Sequence, residues 1–255
     1  MTIHPNAPQH RLCLAADVEQ YGRLDTRAQS AVQADLVRVL DEAARLSGLH
    51  RTAWARQPQG DQEFAVLPAG TRESVVLDPF VRHLTAALAA VNAHRTTRVR
   101  LRLAVDAGVV SDAALGHAGP APVAVARYLD APQLKAVLAA LTTTDLAVIV
   151  SDRLYQDVVR LGQNGLDPGR YVKVHVQAKE FAGYGWIHVP GHAPDELRPL
   201  IEQGRGPDLP AAGRTGRAAL TQYVHHGAAV GGDVSGGITV GLPAPVPPAD
   251  PRRAR

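Results

Sequence analysis

Two strand-like runs joined by one tight turn constrain this chain most. They read Trp54-Ala-Arg-Gln57-Pro-Gln-Gly60-Asp61-Gln-Glu-Phe64-Ala-Val-Leu67, with Pro58 and Gly60 supplying the bend and an acid at its tip. The pattern predicts strands over 51–57 and 63–67, paired as a hairpin. Ahead of it, Arg11-Leu-Cys-Leu-Ala-Ala-Asp17-Val-Glu-Gln-Tyr21 is an apolar run that predicts a buried strand broken at Asp17. A carboxylate closing a core strand and another on a hairpin tip can converge on one point. Hard divalent cations such as magnesium take oxygen pairs of that kind when they also hold a phosphate chain.

The remaining segments frame that point. Asp25-Thr-Arg starts a helix, carried by Val32, Leu36, Val39, Leu40, Ala43 and Leu46 and stopped by Gly48. A second amphipathic helix is predicted over 77–94. Arg98 to Leu103 alternates strictly, as a strand with one wet face bearing Arg98, Arg100 and Arg102. A Gly/Ala/Pro-rich loop over 108–122 precedes a helical stretch, 123–141, that restarts at Pro132. Residues 146–150 form another buried strand, and Ser151 caps a helix through Leu161. A second hairpin, 171–178 with 186–189, closes the series. This order predicts an α+β fold, one long sheet with helices on one face. The domain spans 11–190, after an N-terminal arm at 1–10. Residues 191–255 are expected to be a linker and a disordered Pro/Gly-rich tail. Within that tail, Gly231-Gly-Asp-Val-Ser-Gly-Gly-Ile-Thr-Val240 is β-prone and suited to adding to a protein partner or to itself.

Composition removes several classes of function. Aromatic residues make up only 4% of the 255, so the core must be built from Ala, Val and Leu. No apolar run in the sequence reaches membrane-spanning length, and Met1 to His10 is polar without a signal-peptide pattern, so no membrane association is expected. Cys13 is the only cysteine. It excludes a disulfide framework and a cysteine-rich zinc site, and fits a reducing cytoplasm. The net charge of +3 comes from scattered arginines, without a basic helix or interleaved aromatics, so nucleic-acid binding is not indicated. No phosphate-binding Gly-x-x-x-x-Gly-Lys, His-Glu-x-x-His, nucleophile elbow or dinucleotide fingerprint is present.

From 11 to 189 the chain resembles the catalytic domain of class III nucleotide cyclases, the adenylate/guanylate cyclase family. Five stretches carry the resemblance: Asp17-Val18-Glu-Gln-Tyr21; Gly60-Asp61; Arg98-Val-Arg100-Leu-Arg-Leu-Ala-Val-Asp-Ala-Gly108; Val123-Ala-Val-Ala126-Arg127-Tyr-Leu129; and Val176-Gln-Ala-Lys179. Each is weak alone; their order and spacing are specific. The hairpin also looks like the related diguanylate cyclase signature, but the doubled glycine is missing. The resemblance implies a ferredoxin-like, palm-type antiparallel sheet with helices packed on it.

It also implies a chemistry. The ribose 3′-hydroxyl of a nucleoside triphosphate attacks the α-phosphorus while pyrophosphate leaves, with two Mg or Mn ions serving the two ends. By resemblance, Asp17, Asp61 and the Val18 carbonyl hold the metals. Backbone amides at Glu19, Gln20, Tyr21 and Gly22 hold the triphosphate if that turn opens a helix. Arg127 stabilises the transition state and Lys179 neutralises the distal phosphates. The family builds this site across a head-to-tail homodimer. Three positions depart from the family pattern. Gln57 stands where a base-reading lysine is usual, Val123 where an asparagine orients the ribose, and no carboxylate lies near Gly116, where a second base-reading acid is expected. Two readings stay open: a divergent cyclase with low activity or unusual base choice, and a catalytically inactive descendant acting as an interaction module through its tail.

Overall fold

Every residue from Leu12 to Ala16 is buried, which requires cover on both sides of the strand that carries them. The computed structural model, which describes residues 7–204, provides that cover. Strand β1 (Gln9–Val18) is followed by helix α1 (Thr26–Leu46), the hairpin β2 (Ala55–Gln59) and β3 (Gln62–Val66), and helix α2 (Glu73–Asn92). Next come β4 (Leu101–Ala113), β5 (Gly116–Ala118), α3 (Pro120–Leu129), α4 (Pro132–Ala140) and β6 (Leu146–Ser151). A helix α5 at 152–159, the hairpin β7 (Val172–Ala178) and β8 (Phe181–His188), and α6 (Pro194–Gln203) complete it. The sheet order is β2-β3-β1-β4-β6-β8-β7, with β5 added to β4. All pairings are antiparallel except β4 with β6.

Helices cover both faces of the sheet, not one as the element order had suggested. Leu12, Leu14, Ala16 and Val18 point into a core with α1 and α2, through Val39, Leu40, Phe80 and Leu84. Cys13 and Ala15 point the other way, into a second core with α3, α4 and α6, through Val125, Leu134, Val137 and Leu197. Uninterrupted apolar runs at β1 and β6 leave no polar face to expose, so a one-sided arrangement would strand half of each.

Other readings also differ from expectation: the strand expected over 51–57 is β2 at Ala55–Gln59, preceded by a 3₁₀ turn at Arg51–Ala53. The expected loop over 108–122 is largely strand, because β4 continues to Ala113 by pairing Gly108 to Val110 with Arg11 to Gln9. Helix α6 lies inside the stretch expected to be linker and packs Leu197 and Ile201 into the second core. Helix α2 is long and apolar enough by length and composition to cross a membrane, which the sequence pattern had not suggested. Its Val76, Leu77, Phe80, Val81, Leu84 and Leu88 are nonetheless packed in the first core. A π-helical turn at Val76–Phe80 accommodates Pro79 within it. The β-prone stretch at 231–240 and the rest of the expected tail beyond 204 lie outside the described residues.

Candidate functional site

Asp17 is at the penultimate position of β1, and the β1–β3 register places it opposite Gln62. Its neighbour Val18 donates its N–H to the Asp61 carbonyl (3.1 Å), closing the β2–β3 turn onto the end of β1. Gly60, at φ 64°, supplies the left-handed turn residue. The backbone thus sets Asp17, Val18 and Asp61 side by side at one end of the sheet. Below that turn, Glu63 is buried and chelated by Arg51 (2.6 and 3.2 Å), which anchors the hairpin to the body of the domain.

Arg98 and Arg100, just ahead of β4, and Arg102, within it, are not a wet face. Arg102 lies directly opposite Asp17 and grips both its oxygens, Nε to Oδ1 at 2.8 Å and Nη2 to Oδ2 at 2.5 Å. Arg100 pairs with Glu19 (2.5 Å) and also donates to the Thr144 and Leu141 carbonyls (2.8 and 2.9 Å). Arg98 pairs with Asp145 and donates to the Thr143 carbonyl (2.9 and 3.0 Å). Strict alternation does place the three on one face, but acids and carbonyl oxygens meet them there. The signal available was the matched spacing of Asp17 and Glu19 with Arg100 and Arg102, two cross-strand charge pairs.

Burial pushes the Asp17 carboxyl up to about 6 although the Arg102 guanidinium pulls it down; the neighbouring Asp61 adds to the rise. Two carboxylates at one end of the sheet, near enough for Asp61 to act on Asp17, are oxygen donors that suit a hard cation. The donor set fits Mg or Mn in kind. Arg102 supplies the neutralising charge on Asp17, and no group of three or more ligating side chains forms among the described residues.

The following turn is short. Gln20 adopts a left-handed conformation (φ 58°) and caps a single 3₁₀ turn, Tyr21–Arg23. The long helix α1 begins later and is capped by the Asp25 carboxylate, which accepts from the Ala28 amide (2.8 Å). Glu19 to Gly22 therefore open one turn, not a helix able to act as a dipole. The Tyr21 hydroxyl accepts from Gln33 (2.6 Å).

Gln57 reaches the β4–β5 turn and donates from Nε2 to the Leu115 carbonyl (3.0 Å). Gly116, at φ 117°, makes room for it: a Cβ there would lie 1.3 Å from Gln57 Nε2. The sequence pattern had placed no carboxylate near this point. The fold brings one there, because Asp112 pairs with His117 across the β4–β5 ladder, with Oδ1 3.3 Å from His117 Nδ1.

Arg127, Lys179 and Val123 gather elsewhere. Arg127 extends from α3 to the β7–β8 turn and donates to Glu180 (2.9 Å), while its buried Nε has no hydrogen-bond partner. Lys179 sits in the same turn with φ 54°. Val123 is 43% exposed on α3. It lines an open cavity of about 760 Å³ together with Asp106, Tyr128, Asp152, Glu180 and Tyr184. Burial raises the Asp106 carboxyl, opposed by hydrogen bonds from Ser151 and the Ala107 backbone. Nothing in the sequence pattern marked Asp106, which sits inside the otherwise apolar stretch 103–110 of β4.

The two groups occupy opposite ends of the sheet. Asp17 is level with Arg102 and Ala147. The path from there to the β7–β8 turn runs from Ala147 to Ser151 along β6, then from Gly185 to Phe181 along β8. That is roughly 26 Å at about 3.3 Å per strand residue.

No protein-family model matches the sequence, and no curated protein does. Solved structures do match in fold. An adenylate/guanylate cyclase/hydrolase from Silicibacter pomeroyi is 18% identical, with a TM-score of 0.52 over 73% of this chain and 99% of that one. A bacterial light-regulated adenylyl cyclase is 12% identical, with a TM-score of 0.50 over 78% of this chain and 99% of that one. The chain has the fold of the class III adenylate/guanylate cyclase catalytic domains, as a divergent example of it.

Proposed function

We propose that this chain is a cyclase-type signalling domain that binds a nucleoside triphosphate with Mg or Mn and acts as a head-to-tail homodimer in the cytoplasm. The observation that carries it is the division of charged groups between the sheet ends: acids Asp17 and Asp61 at one, cations Arg127 and Lys179 at the other. One chain cannot bring them together across about 26 Å of strand. An antiparallel pair of chains can, with acids from one copy facing cations from the other.

Asp17, Asp61 and the Val18 carbonyl would hold divalent ions, which would neutralise the leaving pyrophosphate and acidify the 3′-hydroxyl when bound. The 3′-oxygen would give up its proton to solvent water and bond to the α-phosphorus as the bond from that phosphorus to the bridging oxygen of the pyrophosphate breaks. The Arg127 guanidinium, whose Nη2 is held by the exposed Glu180 carboxylate, would be the donor to the oxygens on which charge builds. Lys179 would contact the distal phosphates. Gln57 and the Leu115–Gly116 turn it touches would meet the base. Val123 cannot donate a hydrogen bond, so turnover is slow. That substitution also favours a second reading, a nucleotide-binding module without turnover.

Incubating the full chain with each of the four nucleoside triphosphates and manganese, followed by mass spectrometry of products, tests the first reading. A cyclic nucleotide formed by the wild type and lost in Asp61→Asn supports it. Nucleotide- and manganese-dependent thermal stabilisation without product supports the second. Absence of both refutes nucleotide binding.

A further inference from the structure

Arg102, on β4, and Arg100, in the segment leading into it, stand two residues apart, yet they are held differently. Arg100 is tied to Glu19 and to main-chain carbonyls of Thr144 and Leu141, so its guanidinium is built into the fold. Arg102 makes hydrogen bonds to Asp17 alone among the described residues. Its planar fork takes both oxygens of that carboxylate, with both side chains 13% exposed. A divalent cation needs at least one of those oxygens at about 2.0–2.6 Å. A guanidinium and a metal ion cannot occupy the same face of one carboxylate, and their like charges repel at that distance.

We propose that Arg102 is a built-in competitor for the cation: it holds Asp17 in the metal-free chain and must release that carboxylate before a divalent ion is bound by Asp17 and Asp61. The proposal rests on the reading of those two acids as ligands. It adds that metal affinity in the absence of nucleotide is set low by a residue that is not a ligand. Arg102 is the residue able to move, because no second partner among the described residues fixes it. Arg100 cannot take this part.

The test is equilibrium Mn²⁺ binding to the full, nucleotide-free chain at fixed ionic strength, followed by the EPR signal of free Mn²⁺. Wild type, Arg102→Gln, Arg102→Lys and Asp61→Asn are compared after circular dichroism confirms that each is folded. Losing a pair of charge-assisted hydrogen bonds to Asp17 should tighten Mn²⁺ binding by roughly 10- to 100-fold in Arg102→Gln. Arg102→Lys, which keeps the charge but loses the fork, should fall between. The double variant Arg102→Gln/Asp61→Asn should lose the gain. If Arg102→Gln does not fold, the lysine variant decides by the same comparison. Asp61-dependent binding in wild type, with equal or weaker binding in the Arg102 variants, overturns the competition and leaves the metal site standing. If no variant binds Mn²⁺ in an Asp61-dependent way, the carboxylate-pair reading falls, and the proposal with it.

Discussion

Replacing Arg51 with alanine should cost this domain a large part of its stability. Arg51 is 5% exposed and Glu63 is 3% exposed. The guanidinium gives Nη1 and Nη2 to the Glu63 carboxylate (2.6 and 3.2 Å) and Nε to Asp41 on α1 (2.5 Å), and lies 5.5 Å from the Trp54 ring centre. Removing it leaves a carboxylate buried without a counter-charge, which costs about 3–5 kcal/mol. Set against a typical total of about 5–15 kcal/mol, that is roughly a fifth or more of what holds the fold. With a denaturant slope of about 2 kcal/mol/M, the urea midpoint should drop by roughly 1.5–2.5 M. Removing the stranded charge as well, in Arg51→Met/Glu63→Leu, should restore most of the loss, because apolar replacement of a buried pair is close to neutral. Urea titrations followed by circular dichroism measure all three chains. A single-variant cost under about 1 kcal/mol, or a double variant no more stable than Arg51→Ala, would refute the account. The hairpin carrying Asp61 hangs on this pair, so manganese binding should weaken together with stability in Arg51→Ala.

Three other outcomes are expected. The Asp17 carboxyl, near 6 in the fold against an ordinary 3.8, keeps a proton there that the unfolded chain releases. Its stabilising contribution is complete below about pH 4 and lost once pH passes about 6, a fall of up to about 3 kcal/mol. Urea midpoints in chelator from pH 4 to 8 should show this fall in the wild type and a smaller one in Asp17→Asn; identical profiles would contradict it. Val123→Asn restores a side-chain donor facing the cavity and should raise cyclic-nucleotide formation by roughly 10²–10³-fold in a mass-spectrometric assay, whereas an unchanged rate argues against a donor role at that position. Gly116→Ala forces a left-handed φ on a residue with a Cβ and displaces Gln57. At about 1–3 kcal/mol of strain it should lower Tm by roughly 3–10 °C, and an unaltered Tm would show that the β4–β5 turn is not constrained as described.

Much of the site could be read from residue order because its acids are fixed by local geometry. Asp17 ends an apolar strand and Asp61 follows a turn glycine, and those two facts suffice to bring them side by side. The arginines at the start of β4 and just ahead of it could not be read this way. An alternating Arg-x-Arg-x-Arg pattern is the same whether water or carboxylates meet it, and the partners, Asp17, Glu19 and Asp145, are remote in sequence. Cover on both faces was implied by the unbroken run from Leu12 to Ala16, but which helix takes which face depends on tertiary packing. Helix α6 was hidden by Pro194, Pro199 and the Pro/Gly density around them, although Pro194 stands at a helix start where its missing N–H costs nothing. The strand after Gly108 was obscured by its Gly/Ala content and exists because β1 pairs with it.

Cys13 sits at the middle of β1, fully enclosed, its thiol pushed up to about 12 chiefly by burial. As the chain's single thiol, it makes the protein its own clock. A maleimide or Ellman-type reagent can label it only in the fraction of time that the central strand is exposed, and each labelling event adds one fixed mass. The labelling rate thus reads how often the strand that ends in Asp17 comes open, with no engineered probe. Any ion or nucleotide that fastens the end of that strand must slow the count.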